Sequence, residues 1–151
     1  MKPMKAVFID STNHTVTDVV IDGSKFLDEN YRLVAPKSQM IEVACCIRDH
    51  KDGTHDDIYV DEEGLFHEPP TNFFRVLLPG ESLAMAAECR TYAGNGLITG
   101  LNPRTGRSID AKVTAKEVIP LINFLTRLPG QGTLRFSISL PGQLKMENGH
   151  G

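Results

Sequence analysis

Cysteine is scarce in this sequence, with three residues among 151. There is no CxxC motif, and Cys45 and Cys46 are adjacent. Neighbouring side chains on a strand point to opposite faces, so these two thiols are poorly placed to form a disulfide bond. The pattern predicts reduced thiols in a reducing compartment and argues against a disulfide framework.

The sequence also lacks a strong excess of positive or negative charge, and it lacks long apolar runs. The formal net charge is -3, whereas domains that hold duplex DNA by bulk electrostatics carry a strong positive excess. A local basic patch stays open. No stretch approaches the roughly 20 apolar residues of a membrane span, and the N-terminal "MKPMKAVFID" has no long apolar core of the kind a signal peptide needs. We therefore expect a soluble, cytoplasmic protein.

The overall composition is that of an ordinary globular protein. Apolar residues make up 40% of the chain and charged residues 23%, which predicts a packed core. The length fits a single α+β domain over residues 1–140. The polar, glycine-rich segment 141–151 is predicted to be a disordered tail.

Local patterns predict strands joined by turns. The runs "MKAVFID" and "HTVTDVVID" flank turn-forming residues, which predicts a hairpin. The run "QMIEVACCIRD" is largely apolar on both faces, which predicts a central strand. The run "TLRFSISL" alternates, which predicts a half-buried strand with its apolar side inward.

A longer helix is predicted over residues 114–128. Thr114 and Glu117 form a capping-box signature, and the apolar residues that follow recur at helical spacing. Pro120 is expected to bend this helix or delay its start. Shorter helices are predicted over "GSKFLDENYRLV", with Ser24 as N-cap, and from Ser82. The predicted fold class is thus α+β: a mostly antiparallel mixed sheet built from hairpins, with one well-formed C-terminal helix packed on it.

Acidic residues cluster in the stretch "DIYVDEEGLFHE". The pattern predicts a hairpin whose "DEEG" turn places Gly64 at positive φ. The acids lack the alternating spacing of a calcium loop, so the turn is favoured and no metal is expected. The alternative is a metal held by Asp61 and His67. A metal-dependent hydrolase or nuclease would draw its site residues from a wider set: Asp61, Glu62, Glu63, His55 and His67.

Histidines together with a cysteine are the usual ligands of zinc. His14, His50, His55 and His67 are the candidates, and "HDD" at 55–57 adds carboxylates to one of them. No two of these histidines have the short spacing of known zinc motifs, so no zinc site is expected. The sequence also offers no convergent catalytic set, and we expect neither catalytic residues nor a cofactor.

The glycine-rich stretch "AGNGLITG" suggests an anion site. It matches neither a Walker loop nor a dinucleotide fingerprint, because both need a helix directly after the loop. Backbone N–H groups of Gly94, Asn95 and Gly96 would cradle an anion, and Arg104 and Arg107 would grip a phosphate. The competing interpretation is a plain turn, with the two arginines solvated at a hairpin tip in which Gly106 takes the left-handed position.

The order "DIYVDEEGLF", "PPTNFF" and "YAGNGLITGLNPRTG" resembles small proteins of phages and mobile genetic elements that contain a domain of unknown function. Their pattern is "VDDEGL" followed by "AGxG(L/I)(V/I)xG". The resemblance covers residues 57–110, with a looser match at "MKAVFID". The sequence departs from it in a longer "VLLPGESLAMAAECRTY" and in the basic "NPRTGR". The resemblance implies a small mixed α/β domain and transfers no catalytic residues.

Together these patterns favour a non-enzymatic binding or regulatory module of mobile-element type. The expected ligand is a protein or a small anionic molecule such as a nucleotide. The rivals are the metal-dependent hydrolase or nuclease and a single-stranded nucleic-acid binder. The sequence leaves the partner and the oligomeric state open.

Overall fold

The computed structural model describes residues 1–66, 72–128 and 136–142. Within these ranges the chain forms two antiparallel sheets and three short helices. The strands are β1 (Pro3–Asp10), β2 (Thr15–Asp22), β3 (Ile41–Asp49), β4 (His55–Asp61), β5 (Asn72–Val76), β6 (Thr91–Ala93), β7 (Gly96–Asn102), β8 (Arg107–Ile109), β9 (Ile122–Arg127) and β10 (Phe136–Ser139). The helices are α1 (Phe26–Val34), α2 (Leu83–Cys89) and α3 (Ala115–Val118).

The larger sheet has the strand order β2-β1-β7-β4-β3, and β8 pairs with the end of β7. The predicted hairpin of β1 and β2 is confirmed, with Met4 opposite Ile21. The pairs β3–β4 and β7–β8 are also consecutive in the chain. The pairs that β7 makes with β1 and β4 join distant segments. Hairpins alone therefore do not build this sheet.

The smaller sheet has the order β10-β9-β5-β6 and packs face to face on the larger one. Each strand alternates between the shared core and the opposite face. In β9, for example, Ile122 and Phe124 are fully buried and Asn123 between them is not. The core between the sheets includes the apolar residues Val7, Ile9, Ile58, Ile98, Phe74, Val76, Ile122 and Phe124.

Helix α1 covers the other face of the larger sheet, which we call the helix-bearing face. The predicted helix over "GSKFLDENYRLV" is confirmed, although Ser24 is not its cap: Asp22 accepts a hydrogen bond from the Ser24 backbone N–H at 3.0 Å. Val34 packs with Met4, Ala6, Ile21 and Leu97 of the sheet. The Phe26 ring contacts Tyr59 edge to face, with centroids 5.5 Å apart.

The described residues contain no helix that could cross a membrane.

The prediction of a helix over residues 114–128 is wrong. The capping box of Thr114 and Glu117 is present, but α3 ends at Val118. A 3₁₀ turn containing Pro120 follows, and the chain then enters β9. Proline cannot donate the next helical hydrogen bond, and the apolar residues beyond it pair with β5 in alternating register. The described fold is therefore mostly antiparallel sheet with few helices.

The predicted hairpin around "DEEG" is also wrong. Gly64 begins a 3₁₀ turn, Gly64–Phe66, and its φ is not positive. The backbone at Gly64 passes close to β6: a Cβ there would lie 3.0 Å from the carbonyl oxygen of Ala93. Residues 67–68 of the predicted returning strand lie outside the described residues.

Two predictions about the position and orientation of strands are also wrong. The run "QMIEVACCIRD" forms β3, which is an edge strand of the larger sheet and not a central one. The last strand, β10, lies at an edge of the smaller sheet, but Ile138 and the following Leu140 are about half exposed, at 54% and 50%, while Ser139 is buried. The predicted apolar side of this strand therefore faces outward at these positions. The predicted tail lies outside the described residues from 143 onward.

Candidate metal centre

Three metal-ligating side chains converge on the helix-bearing face of the larger sheet. They are Cys46 of β3 and His55 and Asp57 of β4. One ligand atom from each, the thiol sulfur, a ring nitrogen and a carboxylate oxygen, lies within 4.8 Å of the other two. The Nδ1 atom of His55 is 2.8 Å from Oδ1 of Asp57.

The strand geometry explains this convergence. Tyr59 contacts α1, and Asp57 and His55 lie two and four positions earlier on the same strand, so all three share one face. Cys46 lies directly opposite Asp57 in the β3–β4 ladder. Directly opposed residues have Cβ atoms about 4.5 to 5.5 Å apart, which brings the thiol to the carboxylate.

The Asp57 carboxylate is buried and has few hydrogen-bond partners. Asp57 is 3% exposed, and His55 is its one hydrogen-bond partner within the described ranges. The neighbouring Asp56 is also buried but accepts hydrogen bonds from His50 and from the backbone N–H groups of Lys112 and Val113. A carboxylate needs several partners when it leaves water. Asp56 has them and Asp57 does not.

A second polar group beside Asp57 also has an unmet hydrogen-bonding capacity. Thr99 lies directly opposite Asp57 in the β4–β7 ladder, so the two side chains share the helix-bearing face. Thr99 is fully buried, and its hydroxyl has no hydrogen-bond partner among the residues that the structure describes. Such groups are uncommon in folded proteins and frequently mark a place where a ligand, ion or water binds.

The surroundings of Cys46 hold its thiol in the protonated form. Burial raises the pKa of the Cys46 thiol to about 11, and the negative charges of Asp49 and Asp57 add to the effect. A bound cation reverses this balance, because a coordinating thiol loses its proton. Sulfur, imidazole and carboxylate ligands in one cluster are typical of zinc.

No protein-family model, curated protein or solved structure matches the chain. The partly exposed side of the three-residue cluster is formed by Cys46 and by His55, whose side chain is 24% exposed. An ion would reach the cluster from that side, whereas Asp57 forms the buried floor.

The three residues of the predicted anion cradle make contacts within the fold. The Gly94 backbone N–H donates to the Asn72 carbonyl oxygen at 2.9 Å. The Asn95 side chain accepts from the Ser11 backbone N–H at 2.9 Å and donates to the Leu33 carbonyl oxygen at 3.3 Å. Gly96 pairs with β1 on one side and with β4 on the other.

The two predicted phosphate-gripping arginines lie at the other end of β7. Arg104 lies in the exposed turn between β7 and β8, and the exposed Arg107 is the first residue of β8. The predicted left-handed Gly106 in this turn is confirmed, with φ of 71°. A seven-residue strand spans about 20 Å, so Gly96 and this turn are roughly a strand length apart. The structure does not bring the predicted anion ligands together.

The acids of the predicted metal alternative are also dispersed. The Asp61 carboxylate accepts hydrogen bonds of 2.8 Å from the Ser38 hydroxyl and from the Glu63 backbone N–H. Asp61 and His55 stand at opposite ends of β4, about 20 Å apart along the strand. His67 lies outside the described residues.

The sequence pattern identified His55 and the carboxylates of "HDD", which include Asp57, but it did not identify Cys46. The spacing of His55 and Asp57 could have indicated that they lie together, because a His-x-Asp spacing on a strand places both side chains on one face. The contribution of Cys46 depends on how β3 registers against β4, which no local pattern reveals.

Proposed function

We propose that this chain is a metal-binding protein that holds a divalent ion of the zinc type at Cys46, His55 and Asp57. The observation that carries the proposal is the convergence of the three ligand atoms within 4.8 Å, one of them from a buried carboxylate whose hydrogen-bond partner among the described residues is His55. A structural ion pair between His55 and Asp57 would need neither the thiol nor the unsatisfied Thr99 hydroxyl.

The donor set selects among ions. Mg²⁺ and Ca²⁺ take oxygen ligands in sets of six or more, whereas thiolate and imidazole favour Zn²⁺ and its transition-metal neighbours. Metal binding agrees with a non-enzymatic binding or regulatory role. The link to phages and mobile elements stays a prediction supported by the resemblance alone, and recognition of a protein or a small anionic ligand stays a prediction as well.

Calorimetric titration of the metal-free chain with Zn²⁺ tests the proposal. We expect one ion per chain, with Mg²⁺ and Ca²⁺ giving no heat. Cys46→Ser and Asp57→Asn should abolish or strongly weaken this binding. Cys45→Ser is the matched control, because Cys45 is the adjacent thiol and lies opposite Ile58, outside the cluster.

A second control separates this site from the acids at the end of β4. Asp61→Asn should leave the zinc titration unchanged, since the Asp61 carboxylate is already held by Ser38 and Glu63. Zinc binding that persists in Cys46→Ser and Asp57→Asn, or its absence from the unsubstituted chain, would contradict the proposal.

A further inference from the structure

The strand that carries Cys46 contains a β-bulge next to it. Cys46 lies opposite Asp57, but Arg48 lies opposite Asp56, so two steps along β3 match one step along β4. The extra residue is Ile47, which is buried in the core between the sheets. Bulges of this kind re-aim side chains and are over-represented beside functional sites.

The bulge changes which side chains share a face. Residues three apart on a regular strand point to opposite faces. Across this bulge, however, Cys46 and Asp49 come together: the Cys46 thiol donates to Oδ1 of Asp49 over 3.6 Å. Asp49 in turn lies directly opposite His55. Two cross-strand pairs, Cys46 with Asp57 and Asp49 with His55, therefore form four corners of one patch.

We infer that Asp49 is the fourth ligand of the proposed metal centre, an inference that rests on the proposed function. Asp49 is exposed, and its Oδ1 lies 3.6 Å from the Cys46 sulfur. One sulfur, one nitrogen and two oxygen ligands complete the tetrahedral shell that Zn²⁺ adopts in structural sites. The ion would then be enclosed by protein ligands and would serve to hold β3 on β4.

The test uses Co²⁺ as a spectroscopic substitute for Zn²⁺ in the full chain. A four-coordinate Co²⁺ centre with a thiolate ligand gives intense visible bands, and added water ligands weaken them. In Asp49→Asn we expect weaker visible bands and a Zn²⁺ Kd raised by about 10-fold or more, the scale seen even for outer-shell changes. Asp49→Cys should restore binding and strengthen the sulfur-to-cobalt absorption.

Glu42→Gln is the matched control, since Glu42 is an exposed acid on the same strand. It should change neither the bands nor the affinity. Melting of each metal-free variant checks that the fold is kept. If Asp49→Asn binds Zn²⁺ and Co²⁺ like the unsubstituted chain while Cys46→Ser does not, Asp49 is not a ligand and the three-residue site stands. If the unsubstituted chain binds neither ion, the inference and the proposed function fail together.

Discussion

Replacing Gly96 with alanine should destabilise the protein by about 1 to 3 kcal/mol, the usual cost of forcing an extra carbon into a packed core. A Cβ at this position would lie 2.8 Å from Cζ of Phe74 and 3.2 Å from Cγ2 of Ile58. Both neighbours are fully buried between the sheets. Neither can swing into solvent, so the strain has to be taken up by a ring shift or by separation of the sheets.

A double-mutant cycle isolates this steric cause. Phe74→Leu removes the ring atom that the new methyl group would strike. Gly96→Ala should therefore cost less in that background, by a coupling of about 0.5 to 3 kcal/mol. Urea denaturation with unchanged m values gives the free energies of unfolding. An equal cost in both backgrounds, or a cost near zero in the unsubstituted chain, would refute the steric account of Gly96.

Three further outcomes are expected in thermal melts. Gly64→Ala should cost about 1 to 3 kcal/mol through its clash with the Ala93 carbonyl oxygen, and an unchanged melting temperature would contradict that packing. His14→Ala should cost about 1 to 3 kcal/mol, because the buried Ser139 hydroxyl loses its hydrogen bond to the imidazole; a cost below this range would mean that this bond stabilises little. Hydrogen bonds, foremost from the Ser24 hydroxyl, lower the pKa of Asp22 from 3.8 to about 2. This carboxylate therefore stabilises the fold above pH 3.8 and loses that effect as the pH falls towards 2. Asp22→Asn should flatten the pH dependence of melting in this window.

Structural features that depend on a few neighbouring residues were predictable from the sequence. The capping box of Thr114 and Glu117 and the N-cap of α2 at Ser82 are both present. So is the left-handed Gly106 in the turn between β7 and β8. Each depends on hydrogen bonds or backbone angles within a single turn, so the local residues decide the outcome.

Features decided by distant partners were not predictable. The apolar residues Ile122 and Leu125 fit a helical face as well as a strand, and both are buried. Pairing with β5 selects the strand, with Ile122 opposite Val76. Tertiary contacts of this kind override local propensity.

The candidate metal centre combines a locally determined part with a part that depends on distant partners. His55 and Asp57 share a face because side chains alternate along a strand, and this alternation can be predicted from the sequence. Cys46 and Asp49 join them through a bulge at Ile47, whose position is fixed by the core between the sheets. Because a register shift of one residue exchanges the faces of a strand, the ligand set is a property of the assembled sheet.

The central place of β7 has a consequence for synthesis on the ribosome. Ile98 lies opposite Val7 on one side and opposite Ile58 on the other, so the larger sheet cannot close until β7 has emerged. Until then the hairpins β1–β2 and β3–β4 each keep an open inner edge. Contacts so far apart in sequence form slowly, and unpaired edges attract other strands. A nascent chain that stalls before Gly96 would therefore expose two hairpins with unpaired, aggregation-prone edges. A chaperone that shields strand edges would reduce aggregation most during that interval.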